Sequence, residues 1–225
     1  MKPPLILALP KGRILEACLP LLEAVNIVPE PSFFDKRTRL LRFKTNDPLL
    51  DIIRVRSFDV ATFVAFGTAS MGICGSDVLM EFDYPDIYAP LDLKLGKCRL
   101  CVASLANDNK APEDSSRWSQ IRVATKYPNI TKQFFARKGV QADIVHLHGA
   151  MELAPVMKLS NLIVDLVDTG STLRANGLQE IETIVDISSR LIINRTALKT
   201  QSSRINTIID RFKKLNLLST FSARD

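Results

Sequence analysis

Long apolar runs and histidine residues are both scarce in this chain. The longest uncharged stretch, 60–76, is shorter than a membrane span and contains Gly67, Gly72 and Gly75. The two histidines, His146 and His148, are too few for the usual nucleophilic triad or for a histidine-rich metal site. We therefore expect no membrane span and no metal centre built from side chains alone.

Cysteine is also sparse, and no export signal is recognisable. The apolar run 5–9 is shorter than a signal-peptide core, and Pro10, Lys11 and Arg13 follow it closely. The four cysteines lie in apolar surroundings, which is typical of free thiols in a reducing compartment. These features predict a cytoplasmic protein without disulfides.

Positive charge is in moderate excess, with 30 Lys plus Arg against 24 Asp plus Glu and a net charge of +6. Nucleic acid, an anionic membrane surface, a small polyanionic substrate or a plain solvated face would each fit this excess. Few aromatic residues are interleaved with the cations, and this argues against a binder of single-stranded nucleic acid. We expect neither nucleic acid nor a membrane as a partner.

Short apolar runs alternate with helix-period segments, which predicts an α/β fold. The predicted strands are 5–9, 40–43, 51–55, 71–74, 87–91, 98–104, 122–125, 142–146, 162–167, 183–187 and 189–194. The predicted helices are 14–25, 60–69, 129–138, 150–156 and a basic closing helix at 202–215. A polar surface loop is predicted at 107–119.

The strongest local signal is a buried strand that runs into a turn rich in hydroxyl groups. The residues of this signal are Asp165, Asp168, Thr169, Gly170, Ser171 and Thr172. Gly170 allows a tight turn, and backbone N–H groups together with three hydroxyls can converge on phosphate oxygens. The two carboxylates would repel phosphate but suit a ribose diol or Mg²⁺, so the pattern favours a sugar phosphate over a plain helix cap.

Cations gather in two further places. Lys11-Gly12-Arg13 lies where the first predicted strand ends, which is a favoured ligand position in open α/β sheets, although on these three residues alone a charged first turn of a solvated helix is the better explanation. A second run comprises Lys36, Arg37, Arg39, Arg42 and Lys44, followed by Arg54 and Arg56. Strand alternation would put some of these guanidinium groups on one sheet face, although a charged solvated face explains the same pattern.

Several motifs in the same order make the chain resemble the short form of the ATP phosphoribosyltransferase family. The motifs are ALPKGRILE at 8–16, MGICGSDVL at 71–79, LDL at 91–93, GKCRL at 96–100, ATKYPN at 124–129, ELAP at 152–155 and the segment 165–178. The resemblance implies transfer of the 5-phosphoribosyl group of PRPP to N1 of ATP with Mg²⁺, in the first step of histidine biosynthesis. It covers nearly the whole chain.

The resemblance also assigns the residues. It places PRPP on Asp165, Asp168, Thr169, Gly170, Ser171 and Thr172, and a nucleotide at Lys11, Ala124, Thr125, Lys126 and Tyr127. Displacement at an anomeric carbon needs stabilisation of the leaving pyrophosphate more than a strong base. Lys11, Arg13, Arg39 and Arg56 are the candidates for that stabilisation.

Family members have a two-lobed fold like the type II periplasmic binding proteins, with the active site between the lobes. The resemblance therefore implies lobe one at 1–95 plus 181–225, and lobe two with the PRPP loop at 96–180. Short-form members form dimers and work with a regulatory subunit related to histidyl-tRNA synthetase, often as hetero-octamers. The chain departs from the family at Lys158, where Gly is usual, at Ala150, where Ser is common, and at Ala61, where Pro is common.

Two rival functions belong to other classes. A small-anion receptor or ligand-sensing module could use the same two-lobed fold. A salvage enzyme that joins PRPP to a free base could use a similar acidic turn, but Lys11-Gly12-Arg13 and the order of the motifs argue against it.

Overall fold

The computed structural model describes residues 3–106 and 121–221, which form two compact units. The predicted loop at 107–119 lies outside the described residues. Unit 1 contains the described residues of Met1–Leu79, Asp83–Gly96 and Ser188–Asp225, and unit 2 contains those of Met80–Phe82 and Lys97–Ile187. Each unit has its own mixed sheet, which confirms the predicted α/β class.

Unit 1 is built around a sheet with the strand order β2-β3-β1-β4-β11-β5. Its strands are β1 (Leu5–Pro10), β2 (Arg42–Lys44), β3 (Leu50–Val55), β4 (Met71–Gly75), β5 (Ile87–Asp92) and β11 (Ser189–Asn194). Its helices are α1 (Arg13–Ala24), a 3₁₀ helix (Pro31–Phe34), α2 (Ser57–Ala65), the first part of α3 (Ser76–Phe82), α7 (Arg195–Thr200) and α8 (Ser202–Phe221). Strands β3, β1 and β4 are parallel, so their carboxyl ends meet at one edge.

Both faces of this sheet are buried. Alternate residues of β1, such as Leu7 and Leu9, join α1 and α8 in one apolar cluster, while Ala8 joins α2 in another. Helix α2 lies so close to β4 that a Cβ atom on Gly72 would come within 2.8 Å of Val60 Cγ1. Only glycine allows this approach, so Gly72 sets how closely α2 packs on the face of the sheet.

Unit 2 is built around a sheet with the strand order β10-β6-β9-β7-β8. Its strands are β6 (Cys98–Leu105), β7 (Ile121–Thr125), β8 (Ala142–His146), β9 (Leu162–Val167) and β10 (Leu178–Ile187). Its helices are α4 (Pro128–Arg137), α5 (Leu153–Val156), α6 (Ser171–Ala175) and the end of α3. Strands β8, β7 and β9 are parallel, and β6 is antiparallel to both β9 and β10.

Strand β10 is longer than its sequence suggested. It begins at Leu178 rather than at the predicted residue 183, and it pairs with β6 along its whole length. The chain passes from unit 2 to unit 1 between Ile187 and Ser188, seven residues later than the lobe boundary expected at 181. Pairing of 181–187 with β6 accounts for this difference.

Lys158 adopts a backbone conformation that favours glycine. Its φ angle is +57°, in the left-handed region, and it follows the short helix α5. A side chain with a Cβ atom is strained there by roughly 1 kcal/mol. The turn before β9 therefore forms with lysine at this position, and the strain lowers the free energy of unfolding by that amount.

Within the described ranges, no helix has both the length and the hydropathy that a membrane crossing requires.

Candidate active site

Three loops of unit 2 leave the same edge of its sheet. The register pairs Thr125 of β7 with Val164 of β9 and with His146 of β8, and all three strands are parallel. The segments that follow β7, β8 and β9 therefore leave the same edge of the sheet, and β9 extends three residues beyond Val164 before its turn. They bring Lys126 and the turn at Asp168 to one edge, as expected for a ligand site.

The turn after β9 presents its polar groups to solvent. Asp168, Thr169, Ser171 and Thr172 are exposed, and Gly170 has φ +73° and ψ 9°, a left-handed conformation. The Thr169 hydroxyl donates to Ser171 Oγ at 3.0 Å. The predicted hydroxyl groups are thus close together and accessible.

Asp165 lies on β9 itself, three residues before the turn. It is half-buried, and its Oδ1 accepts the N–H of Leu166 at 2.8 Å. Asp168 is exposed at the start of the turn. Both carboxylates therefore belong to the same strand end as the hydroxyl groups.

Two arginines outside the predicted site residues hold the backbone of this turn. Arg99 Nη1 on β6 donates to the carbonyl oxygen of Asp168 at 2.9 Å. Arg174 Nη2 on α6 donates to the carbonyl oxygen of Thr169 at 3.1 Å. Two consecutive carbonyl groups of the turn are thus bound by guanidinium groups.

Arg99 is itself fixed by a carboxylate. Its Nε lies 2.9 Å and 3.1 Å from the two carboxylate oxygens of Glu180 on β10, and its Nη2 lies 2.6 Å from Oε2. The Cys101 thiol and the Thr183 hydroxyl also donate to Oε1 of Glu180, at 3.1 Å and 2.9 Å. Hydrogen bonds from Arg99 first, and then from Cys101, lower the pKa of Glu180 to about 2.

The predicted nucleotide segment is mostly turned inward. Ala124 and Thr125 are fully buried, and Tyr127 is nearly so. The Thr125 hydroxyl donates to the Val164 carbonyl at 2.8 Å and accepts the Tyr127 N–H at 2.9 Å. Lys126 is the half-exposed member of this segment.

The amino end of helix α4, just after Lys126, is occupied by a carboxylate of the chain itself. Buried Glu81 accepts the N–H groups of Asn129 and Ile130 at 2.9 Å and 3.1 Å, and its carbonyl accepts from the Asn129 side chain. An anion at this position satisfies N–H groups that the helix leaves open. A phosphate would have to displace Glu81 to bind there.

In unit 1, cations gather at the carboxyl ends of β1 and β3. Pro10 pairs with Val55, and the Lys11 N–H donates to the Val55 carbonyl at 2.8 Å. Arg13 is the first residue of α1, and Arg56 is the residue just before α2. Lys11, Arg13 and Arg56 are all exposed at this edge.

The second cationic run divides into structural and exposed members. Arg42 and Lys44 form ion pairs of 2.6 Å and 3.2 Å with the fully buried Asp51. The Arg54 guanidinium lies over the rings of Phe33 and Phe43, at 5.3 Å and 5.0 Å. These three cations stabilise the unit.

The exposed members of the run are Lys36, Arg37 and Arg39. They precede β2, which enters the sheet beside the last residues of β3, because Arg42 pairs with Ile53. Arg39 therefore lies on the chain segment that leads to the edge where β3 ends.

Other constellations carry no obvious chemistry. The rings of His146 and His148 lie 4.8 Å apart on the surface, and the described residues contain no group of three or more potential metal ligands. Burial raises the pKa of Cys18 to about 12, and burial together with Glu180 raises that of Cys101 to about 11. These two thiols are therefore protonated at neutral pH and are poor nucleophiles.

The chain is similar to known proteins over most of its length. The family model described as ATP phosphoribosyltransferase (HisG) matches residues 56–214. An ATP phosphoribosyltransferase from Paramagnetospirillum magneticum is 60% identical over 210 residues, which cover 93% of this chain and 95% of that protein. One from Rhodospirillum rubrum is 59% identical, with 93% and 92% covered.

Two solved structures are similar in fold. The ATP phosphoribosyl transferase (HisG:HisZ) complex from Thermotoga maritima contains a chain that matches with a TM-score of 0.79 and 30% identity, over 93% of this chain and 97% of that one. The periplasmic aliphatic sulphonate binding protein SsuA from Escherichia coli matches with a TM-score of 0.58 and 12% identity, over 100% and 76%. The second likeness concerns the fold alone.

Proposed function

Because this chain belongs to the ATP phosphoribosyltransferase family, we propose that its turn at Asp168 binds PRPP and that its exposed cations of unit 1 stabilise pyrophosphate. The chain catalyses the reaction of its family, which is transfer of the 5-phosphoribosyl group of PRPP to N1 of ATP. Phosphoribosyl-ATP and pyrophosphate are the products, in the first step of histidine biosynthesis. The resemblance inferred from the sequence motifs is thereby confirmed.

A small-anion receptor of the same fold is not favoured. The likeness to SsuA has only 12% identity, whereas relatives of 57–60% identity are ATP phosphoribosyltransferases. The two-sheet fold of the type II periplasmic binding proteins is confirmed, but function depends on the site that a fold carries.

The exposed turn of unit 2 supports a PRPP site. Thr169, Ser171 and Thr172 offer hydroxyl groups to the 5-phosphate, and Gly170 lets the backbone approach it closely. The carboxylates of Asp165 and Asp168 would bind the ribose diol. In this proposal unit 2 is the lobe that carries the sugar phosphate, and unit 1 is the other lobe.

Mg²⁺ fits this site as a companion of the substrate. Magnesium at phosphate sites takes one or two carboxylates and otherwise uses phosphate oxygens and water, so no larger set of side chains is needed. Asp168, exposed at the turn, and Asp165 just upstream are the carboxylates that would contact it. When bound, the ion would neutralise part of the negative charge of the diphosphate.

Nucleophilic attack by adenine N1 needs no protein base, because the N1 lone pair forms the new bond to C1 of the ribose as the bond to pyrophosphate breaks. Pyrophosphate leaves with the electron pair, so negative charge grows on its oxygens. Lys11, Arg13, Arg39 and Arg56 are exposed cations that would stabilise this charge.

We place the adenine nucleotide at 124–127, with Lys11 as a second contact. Lys126 is the member whose side chain would reach phosphate, since Ala124, Thr125 and Tyr127 are buried. The hydrogen bond from Tyr127 N–H to Thr125 supports a fixed backbone there. These three residues would shape the segment rather than bind through side-chain polar atoms.

A regulatory partner is part of the proposal. The similar Thermotoga maritima chain is in a HisG:HisZ complex, so we propose a corresponding subunit for this chain, related to histidyl-tRNA synthetase, in a hetero-octamer built on dimers. We also propose a cytoplasmic location, which the four free cysteines support.

The direct test is to mix the purified chain with PRPP, ATP and Mg²⁺, with and without the regulatory subunit. We expect a rise in absorbance near the adenine band as phosphoribosyl-ATP forms, together with an equal amount of pyrophosphate. Chelation of Mg²⁺ should abolish the rise. If neither product appears in either mixture, the assignment is wrong.

A further inference from the structure

We propose that Arg99 and Arg174 are positioning residues that orient the backbone of the PRPP turn, so that its N–H groups at Thr169 and Gly170 face the bound phosphate. This inference rests on the proposed PRPP site. It assigns to the two arginines a role in substrate binding without contact with substrate. The observation that carries it is the pair of hydrogen bonds to the Asp168 and Thr169 carbonyl oxygens.

Because the peptide unit is planar, each of these two hydrogen bonds also fixes the direction of the next backbone N–H group. In a trans peptide the C=O and the following N–H point in opposite directions. When Arg99 binds the Asp168 carbonyl, the Thr169 N–H must point away from Arg99. Likewise, the hydrogen bond from Arg174 to the Thr169 carbonyl turns the Gly170 N–H away from Arg174.

These two N–H groups are available to a ligand. Within the described residues, neither the Thr169 N–H nor the Gly170 N–H donates to a protein acceptor. Both belong to an exposed turn, so an anion can reach them. Successive backbone N–H groups in turns form concave anion sites in other phosphate-binding proteins.

Arg99 can hold the turn because its guanidinium is anchored on the other side. Nε and Nη2 are used by Glu180, which leaves Nη1 directed at Asp168. Glu180 is fixed in turn by the Cys101 thiol and the Thr183 hydroxyl. A lysine has one donor atom and could not bridge Glu180 and the turn in the same way.

Arg174 reaches the turn over Gly170. The ideal position of a Cβ atom on Gly170 lies 3.0 Å from Arg174 Nη1, so the guanidinium occupies the space next to the glycine. The same glycine has the positive φ angle that the turn requires. The short contact explains why a side chain at position 170 would interfere with Arg174.

The test compares Arg99→Gln, Arg99→Lys and Arg174→Gln with the wild-type chain in steady-state kinetics and in calorimetric binding of PRPP. Loss of one charged hydrogen bond should raise the KM and the Kd for PRPP about 10-fold, while the KM for ATP changes less than about twofold. Arg99→Lys should not restore binding. The matched control is Arg122→Gln, which removes an exposed ion pair with Asp143 in the same sheet.

A role in general stability predicts a different result. A merely structural arginine would lower the active fraction and leave both KM values unchanged, so equal KM values for PRPP in wild type and Arg99→Gln would overturn the inference. If Arg99→Gln does not fold, Glu180→Gln decides instead, because it loosens Arg99 and should raise the KM for PRPP in the same direction.

Amide hydrogen exchange gives a second readout that does not depend on turnover. PRPP should slow exchange at Thr169 and Gly170 in the wild-type chain and much less in Arg174→Gln. Equal protection in both proteins would contradict the inference. If the wild-type chain neither binds PRPP nor forms product, the proposed function itself fails, which is distinct from a wild type that binds PRPP and variants that bind it equally well.

Discussion

Arg174 Nη1 lies 3.0 Å from the point that a Cβ atom on Gly170, four positions earlier in the chain, would occupy. Gly170→Ala should therefore displace the guanidinium and also strain a backbone with φ +73°. We expect the free energy of unfolding to fall by roughly 1 kcal/mol and the KM for PRPP to rise. Urea unfolding and steady-state kinetics measure the two effects.

The control for Gly170→Ala is Gly139→Ala. Gly139 has φ +72°, and a Cβ atom there would meet nothing within 4 Å. This variant should lose similar stability without a change in the KM for PRPP. A KM that changes equally in both variants would mean that strain, and not the displacement of Arg174, weakens binding.

Arg13→Ala and Arg39→Ala should lower turnover on the order of 10- to 1000-fold, because each removes a cation proposed to stabilise the leaving pyrophosphate. Arg37→Ala is the matched control, since the Arg37 side chain is 96% exposed in the same cationic run. Initial rates at saturating ATP and PRPP provide the measurement. Unchanged turnover in Arg13→Ala or Arg39→Ala would remove that residue from the site.

Thr172→Ala should weaken PRPP binding more than ATP binding, because the proposal assigns its hydroxyl to the 5-phosphate. Thr196→Ala removes an equally exposed threonine near the start of α7 and should change neither affinity. Calorimetric titration with each substrate distinguishes the two sites. Equal losses for PRPP and ATP in Thr172→Ala would contradict the placement of PRPP.

Because of the ion pair of Arg99 and Glu180, the free energy of unfolding should depend on pH in the acidic range. The pKa of Glu180 falls from 4.5 to about 2 in the folded chain, so the carboxylate stabilises the fold above pH 4.5. That contribution is lost as the pH decreases from 4.5 towards 2. Urea unfolding of wild type and Glu180→Gln should show a difference that is constant above pH 5 and shrinks below it; a constant difference down to pH 2 would rule out the lowered pKa.

Lys158→Gly should stabilise the chain by about 0.5–1 kcal/mol, because glycine adopts a φ of +57° without strain. Lys132→Gly, in the middle of helix α4, should instead destabilise it by about 1 kcal/mol. Thermal or urea unfolding of both variants tests the assignment of strain. A loss of stability in Lys158→Gly would show that the lysine side chain contributes more than its backbone costs.

The sequence predicted the parallel strands of unit 2 closely, because short segments rich in β-branched and aliphatic residues mark them. The bounds of β8 and β9 agree with prediction, and β7 begins one residue earlier. Helices α3 and α7 were missed, since seven and six residues are too few for a helical period to stand out. The predicted helix at 60–69 ends at Ala65, and the predicted strand at 40–43 begins at Arg42.

Strand β10 shows why an edge strand is hard to predict. Irregular pairing between Glu180 and Glu182, and again between Thr183 and Val185, breaks the alternation of buried and exposed residues. The charges of Glu180 and Glu182 also make the segment look like a loop. Only its last five residues had the apolar pattern of a strand.

The turn itself was predictable from local sequence, whereas the side chains that hold its backbone in place were not. Asp168, Thr169 and Gly170 are neighbours in the chain, and their chemistry is visible together. Arg99 and Glu180 are 81 positions apart, so only the pairing of β6 with β10 brings them into contact. The same limit applies to the cationic run, because the buried Asp51 holds Arg42 and Lys44, and the rings of Phe33 and Phe43 hold Arg54.

The position of β11 between β4 and β5 has a consequence for the order in which the chain can fold during synthesis. Among the strands that the structure describes, β5 pairs with β11 alone, so the sheet of unit 1 cannot be completed until Asn194 has left the ribosome. All strands of unit 2 are already translated at Ile187. The unit whose strands are made first is therefore the one whose sheet is completed last, and a nascent chain arrested near residue 187 would expose the unpaired edges of β4 and β5.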